Sequence, residues 1–100
     1  MAYEITWAPK AQDQLDYIIR SVEDDSSMTV ADRLEADIMT TIDLLRHTPL
    51  LGGVYEQSRF TKAREIFCHR YRIFYRVLKP HRRIEIIALW HGSRQEPDFL

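Results

Sequence analysis

"CHRYRIFYRV", residues 68–77, alternates aromatic and aliphatic residues with arginines at a period of two. Its "RYRIFYRVL" portion and continuation, 70–78, reads as a β-strand whose successive side chains point to opposite faces. Tyr71, Ile73, Tyr75 and Val77 fall on one face and Arg70, Arg72 and Arg76 on the other, with Phe74 alone among the cations. The first face is built for a core. Three like charges close together repel and add nothing to folding, so the second face is either an ordinary solvated surface or one meant for an anionic partner. Downstream, "RIEIIALWH" (83–91) reads as a strand joined to the first by a turn at Lys79-Pro80-His81-Arg82. Its Ile84, Ile86, Ala88 and Trp90 alternate with Glu85, Ile87, Leu89 and His91, which makes both faces largely apolar and predicts a central strand. Upstream, "TKAREIFC" (61–68) is a third strand. The link from Cys68 to Arg70 is too short to set the register, and a slip of one residue decides whether Arg64 shares a face with Arg72.

Before these strands, "YEITW" alternates Tyr3, Ile5 and Trp7 with Glu4 and Thr6 as a short strand, and Pro9 stands where a first helical residue is well tolerated. Ala11, Leu15, Ile18, Ile19 and Val22 form one apolar helical stripe ending near "EDDSS". Ser26 or Ser27 caps a second helix, with Ala31, Leu34, Ile38, Ile42 and Leu45 as its stripe down to about His47; Pro49, Gly52 and Gly53 then stop it. The order is β-α-α-β-β-β. This predicts an α+β fold, a helical hairpin packed on a small, mainly antiparallel sheet, with residues 92–100 as a tail.

With 45% hydrophobic and 11% aromatic residues, the 100-residue chain fits one domain spanning 1–100. No apolar run approaches the roughly 20 residues of a membrane span, and "MAYEITWAPK" carries no signal-peptide pattern, so a cytoplasmic location is expected. The single cysteine, Cys68, excludes an internal disulfide and a cysteine-based zinc site, and no metal or cofactor motif is present. Net charge is −1 but polarised: residues 1–50 hold four Lys/Arg against ten Asp/Glu, and residues 51–100 hold ten against five. The basic half suits an acidic protein or a phosphate backbone, although the whole chain is not a typical basic nucleic-acid binder.

Taken together, Pro9 with "KAQDQLDYI", the helix "ADRLEADIMTTIDLLRHTPLLGG", the run "RYRIFYRV" and the closing "IEIIALWHGSR" resemble the RelE/ParE superfamily of toxins from bacterial type II toxin-antitoxin systems. The long helical hairpin, the spacing from Leu45 through Pro49 to Gly52, and "HGSR" are closest to the ParE branch. The resemblance implies a plasmid-stabilisation-like module: a compact toxin neutralised in a hetero-oligomer by a cognate antitoxin, acting by binding and poisoning DNA gyrase. The alternative it implies is a ribosome-dependent endoribonuclease of RelE type that cleaves mRNA.

The implied target-binding residues are Arg64, Arg70, Arg72, Arg76 and Arg94. For RNA cleavage the implied catalytic residues are Arg72, His91 and Arg94, with Arg64 or Lys62 adding phosphate contacts. Attack by a 2′-hydroxyl needs a base, an acid and positive charge on the transition state. Arginine supplies only the charge, because it stays protonated at physiological pH. The tail offers Phe99 and Leu100, which do not titrate, leaving His91 and, more distantly, Glu65 for proton transfer. Gyrase binding without catalysis is therefore the expected activity. Tyr71, Tyr75 and Trp90 share the apolar faces and are read as core aromatics. Arg94 follows a Gly-Ser turn with no packing reason to be cationic, which points to a role in target or antitoxin binding.

Overall fold

A computed structural model describes residues 2–56, 58 and 62–92. The elements are β1 (Glu4–Trp7), α1 (Pro9–Asp25), α2 (Met28–Leu44), β2 (Gly53–Val54), β3 (Arg64–Cys68), β4 (Tyr71–Leu78), a 3-10 turn at Lys79–His81, and β5 (Arg83–His91). Two helices thus pack on one mixed five-stranded sheet of order β1-β5-β4-β3-β2, in which only the β1–β5 pair is parallel.

Local chemistry sets the boundaries. Pro9 opens α1, where its missing N–H is no loss, and the Ser27 hydroxyl accepts from the Val30 N–H at 3.1 Å to cap α2. The second helix stops at Leu44, short of His47, because the next residues turn to pair with the sheet's first strand: the Tyr3 N–H donates to the Arg46 carbonyl at 2.9 Å. The two-residue strand β2 is an addition to the sequence reading. It is too short to show a period.

Both helical stripes are buried as their spacing predicts. Ala11, Leu15, Ile18, Leu34, Ile38, Ile42 and Leu45 close over Ile73, Tyr75, Ile84 and Ile86 of the sheet. Cys68 is a buried free thiol in the same core.

Two expectations are corrected. In β5 the alternation does not run unbroken: Phe74 lies opposite Ala88 and Tyr75 opposite Ile86, so Ile87 is an extra residue with no partner across the ladder. This β-bulge reverses the phase beyond it. Leu89 therefore joins Ile84 and Ile86 against the helices, while Ile87 and Ala88 turn to the far side. The arginine face of β4 is also not simply a charged surface. Phe74 is wholly buried at the centre of a second, smaller core with Tyr55, Ala63, Ile87 and Ala88, on which Trp90 packs.

Candidate target-binding face

The far face of the sheet, away from the helices, is assembled by register. Glu65 pairs with Phe74 and Phe67 with Arg72, while Arg64 pairs with Tyr75 and Cys68 with Tyr71. Directly opposed residues point the same way, so Arg64 lies on the side of Tyr75, not with Arg72. The register that the sequence left open is thereby resolved. Arg64 instead serves the neighbouring loop, its Nη1 donating to the Gly52 carbonyl at 2.7 Å.

Arg72 is only 9% exposed. Its Nε and Nη2 both donate to Glu65 Oε2, at 3.0 and 2.7 Å, and its guanidinium carbon lies 4.9 Å from the centre of the Phe74 ring and 5.6 Å from that of Tyr55. The Tyr55 and Phe74 rings meet edge-on at 5.0 Å. A carboxylate on one side and aromatic faces on the other stabilise a cation that is largely out of water. Arg76 is half-buried, and its Nε donates to Glu85 Oε1 at 2.7 Å. Of the three arginines, the two that lie on β4 are thus neutralised within the fold, which removes the repulsion that the bare sequence implies.

Arg70 stands in the two-residue turn between β3 and β4, exposed, with its carbonyl accepting the Gly92 N–H at 2.6 Å. The preceding His69 adopts a positive φ of 56°. For a non-glycine residue this is strained, and a hydrogen bond between its Nε2 and Asp37 Oδ2 of α2 at 2.6 Å holds the turn to the helix. On the far side of this end of the sheet, Phe67 is 59% exposed beside Gly92, whose Cα carries hydrogen where a Cβ would sit 3.7 Å from the Phe67 ring. The far-side surface at this end is therefore the Phe67 ring, while Arg70, exposed in the turn, stands beside Arg33 and Leu34 of α2.

His91 is not part of this face. It lies opposite Tyr71 in the ladder, the two rings meet edge-on at 5.3 Å, and both line a groove against α1. Arg72 and His91 consequently lie on opposite sides of the sheet. Arg94 and the tail from residue 93 fall outside the described residues.

Sequence reasoning named Glu65 only as a distant candidate for proton transfer, not as the counter-ion of Arg72, and missed Glu85 and Tyr55. Glu85 could have been found from an Arg76–Glu85 pairing in the β4–β5 hairpin; Glu65 could not, because it needs the β3 register.

On the helix side, the Tyr75 hydroxyl donates to the Pro49 carbonyl at 2.9 Å and accepts from the Gly52 N–H at 2.8 Å. Burial pushes its pKa up; the Gly52 hydrogen bond and the nearby Arg64 charge pull the other way without cancelling it. Among the described residues there is no group of three or more side chains suited to hold a metal ion, and no helix is long and apolar enough to cross a membrane.

A family model described as the ParE toxin of type II toxin-antitoxin systems, parDE, matches residues 5–96. No curated protein matches the sequence. Among solved structures, a toxin from the chromosomal ParDE system of P. aeruginosa superposes with a TM-score of 0.76 at 18% identity, covering 92% of this chain and 98% of that one. A chain of the toxin-antitoxin complex RelBE2 from Mycobacterium tuberculosis superposes at 0.64 with 16% identity, covering 91% and 99%. A chain of the archaeal RelE-RelB complex from Pyrococcus horikoshii superposes at 0.62 with 15% identity, covering 95% and 100%. At these identities the structural likeness speaks for the fold.

Proposed function

Since the chain belongs to the ParE toxin family of type II toxin-antitoxin systems, we propose that it arrests growth by binding DNA gyrase and trapping it on cleaved DNA, without catalysing a reaction itself. In this reading it belongs to a plasmid-stabilisation-like module and is held inactive in a hetero-oligomer by a cognate antitoxin. Chains of the RelBE2 and RelE-RelB complexes, with which this fold superposes, support such a partner.

The observation that carries the reading is the separation of Arg72 from His91. General acid-base chemistry on RNA needs a titratable group within hydrogen-bond reach of the reacting atoms, close to the cation that stabilises the phosphorane. Here Arg72 is enclosed by Phe74 and Tyr55, the carboxylate beside it, Glu65, is taken up by both Nε and Nη2 of that guanidinium, and His91 looks into a groove on the other side of the sheet. What the far face offers outward is Phe67, with Arg76 at half burial and the exposed Arg70 in the turn at its end, a combination of aromatic and arginine typical of protein-protein anchor points. Arg94, two residues after Gly92 in the chain, is assigned to the same contact.

Purified gyrase, supercoiled plasmid and this protein should accumulate linear, protein-linked DNA, while translating ribosomes given the same protein should leave mRNA intact. Phe67→Ala together with Arg70→Ala should lower the cleaved fraction at least tenfold. If wild type instead cut mRNA in the ribosome and His91→Gln abolished the cut, the chain would be a ribosome-dependent nuclease and the gyrase reading would fall.

A further inference from the structure

The β4–β5 hairpin ends in a rigid cationic turn. Its residues Lys79, Pro80, His81, Arg82 and Arg83 are all exposed. The 3-10 turn at Lys79–His81 is closed by the Arg82 N–H, which donates to the Lys79 carbonyl at 3.0 Å, and Pro80 fixes one of its backbone angles. Arg82 itself takes a left-handed conformation with a φ of 48°, which glycine or asparagine adopts more readily. The chain nevertheless carries an arginine there. Its guanidinium carbon stands 5.5 Å from the centre of the Tyr3 ring, and the Glu4 N–H donates to its carbonyl at 2.9 Å, so side chain and backbone are both tied to the start of β1.

Neutralisation at this turn is slight. Arg83 Nε meets Glu4 Oε1 at 3.5 Å with both side chains well exposed, a pair that water and salt screen. Lys79 has no ion-pair partner among the described residues. Arg72 and Arg76, by contrast, meet their carboxylates at 2.7 Å within the sheet. The turn therefore keeps its positive charge. It also lacks an apolar anchor: the exposed large apolar side chains of the described residues, from Tyr17 to Phe67, all lie outside Lys79–Arg83. A protein contact draws on such anchors, whereas a phosphate backbone is held by lysine and arginine side chains alone.

The rest of the molecule limits how such a backbone approaches. α1 carries five Asp/Glu and α2 four, against Lys10, Arg20 and Arg33, so the helical layer repels a polyanion. The eight residues of β4, Tyr71–Leu78, put roughly 25 Å of strand between the turn and the end of the sheet where Phe67 is exposed. One end of the sheet thus presents an aromatic ring and the other a group of cations.

We propose that the β4–β5 turn is a DNA-contacting prong: with the Phe67 end of the sheet seated on gyrase, Lys79, Arg82 and Arg83 lie against the phosphate backbone of the duplex that gyrase holds. The inference rests on the gyrase reading and adds a second point of attachment to it. Three phosphate contacts are too few to hold free DNA against the repulsion of the helical layer. Once the toxin is on gyrase, the duplex is presented at high effective concentration, and the same contacts lock the toxin to the loaded enzyme. The toxin thereby prefers gyrase with DNA in place, the form that can be trapped in its cleaved state.

The test compares wild type with Lys79→Gln/Arg82→Gln/Arg83→Gln and with Lys79→Gln/Arg83→Gln, which leaves Arg82 on Tyr3; an unchanged urea midpoint shows that a variant folds. Binding is measured to gyrase alone and to gyrase loaded with a linear duplex, over a range of salt. Wild type should bind the loaded enzyme at least tenfold more tightly than the empty one. The triple variant should bind empty gyrase as wild type does and lose that gain, with the slope of log affinity against log salt falling by about 2–3, about 0.9 for each phosphate contact. The double variant should lose about two thirds as much slope. At limiting toxin the triple variant should also leave at least tenfold less cleaved DNA. Equal wild-type affinity for loaded and empty gyrase, or variants that keep the gain, would overturn the DNA contact while leaving the gyrase reading intact. Equal weakening on the empty and the loaded enzyme would assign the turn to an acidic protein surface and overturn the contact too. If wild type binds gyrase in neither form, the gyrase reading falls and this contact with it.

Discussion

Replacing Tyr75 by Phe removes one oxygen from the centre of the fold. The residue is 0% exposed, and its hydroxyl ties the segment after α2 to the sheet through the Pro49 carbonyl and the Gly52 N–H. The ring keeps its packing in the variant, so the loss is confined to these two bonds. Each is worth about 1 kcal/mol net, and the Gly52 N–H, in a buried residue, adds a desolvation cost because no water replaces its partner, which brings the total to about 2–3 kcal/mol. For a chain of this length that corresponds to a fall in Tm of about 10–20 °C. Urea unfolding followed by fluorescence of the two tryptophans, Trp7 and Trp90, measures it. The midpoint should move and the slope should not. A second arm uses pH. The folded state holds the Tyr75 proton more tightly than the unfolded chain does, so above about pH 10 the unfolded state ionises first and is favoured. The hydroxyl's contribution is therefore complete below that pH and declines above it, and the stability difference between wild type and Tyr75→Phe should shrink from pH 9 to pH 11. A loss under about 1 kcal/mol at neutral pH, or a difference that stays constant or grows with pH, would refute this account of the latch.

Gly52→Ala should disturb the same latch sterically, because a Cβ there would lie 2.5 Å from the Glu65 carbonyl oxygen and 2.8 Å from the Tyr75 ring; a destabilisation of at least about 2 kcal/mol in the same urea assay is expected. Ser27→Ala removes the cap of α2 and should cost about 1 kcal/mol, recovered in large part by Ser27→Asp. Arg72→Met alone should cost about 2–3 kcal/mol by leaving Glu65 without its partner in a site where its side chain is 24% exposed, whereas Arg72→Met with Glu65→Leu should recover most of the loss. If that double variant still traps gyrase on DNA, Arg72 is a support of the face and not a contact with the target.

The sequence by itself determined the order of every element but β2, both helical stripes, the core side of β4 and the family. These features rest on local periodicity: residues such as Leu34, Ile38, Ile42 and Leu45, or Ile73 and Tyr75, declare their face by spacing alone, wherever the partner surface is. What only the tertiary structure decided rests on register. The period of two in β5 contains no mark of the bulge at Ile87, since Ile86, Ile87 and Leu89 are equally apolar, yet that one extra residue turns Leu89 and His91 toward the helices and parts His91 from Arg72. The identity of each arginine's counter-ion was likewise hidden. Glu65 and Arg72 come together only when β3 pairs with β4 so that Phe67 faces Arg72, and a slip of one residue would have sent Arg64 to the far face in Glu65's place. A run of arginines in a strand reads as positive charge until the ladder supplies its carboxylates; here it did so for Arg72 and Arg76 and left Arg70 to the surface, because a residue in a turn has no neighbour across the sheet to neutralise it.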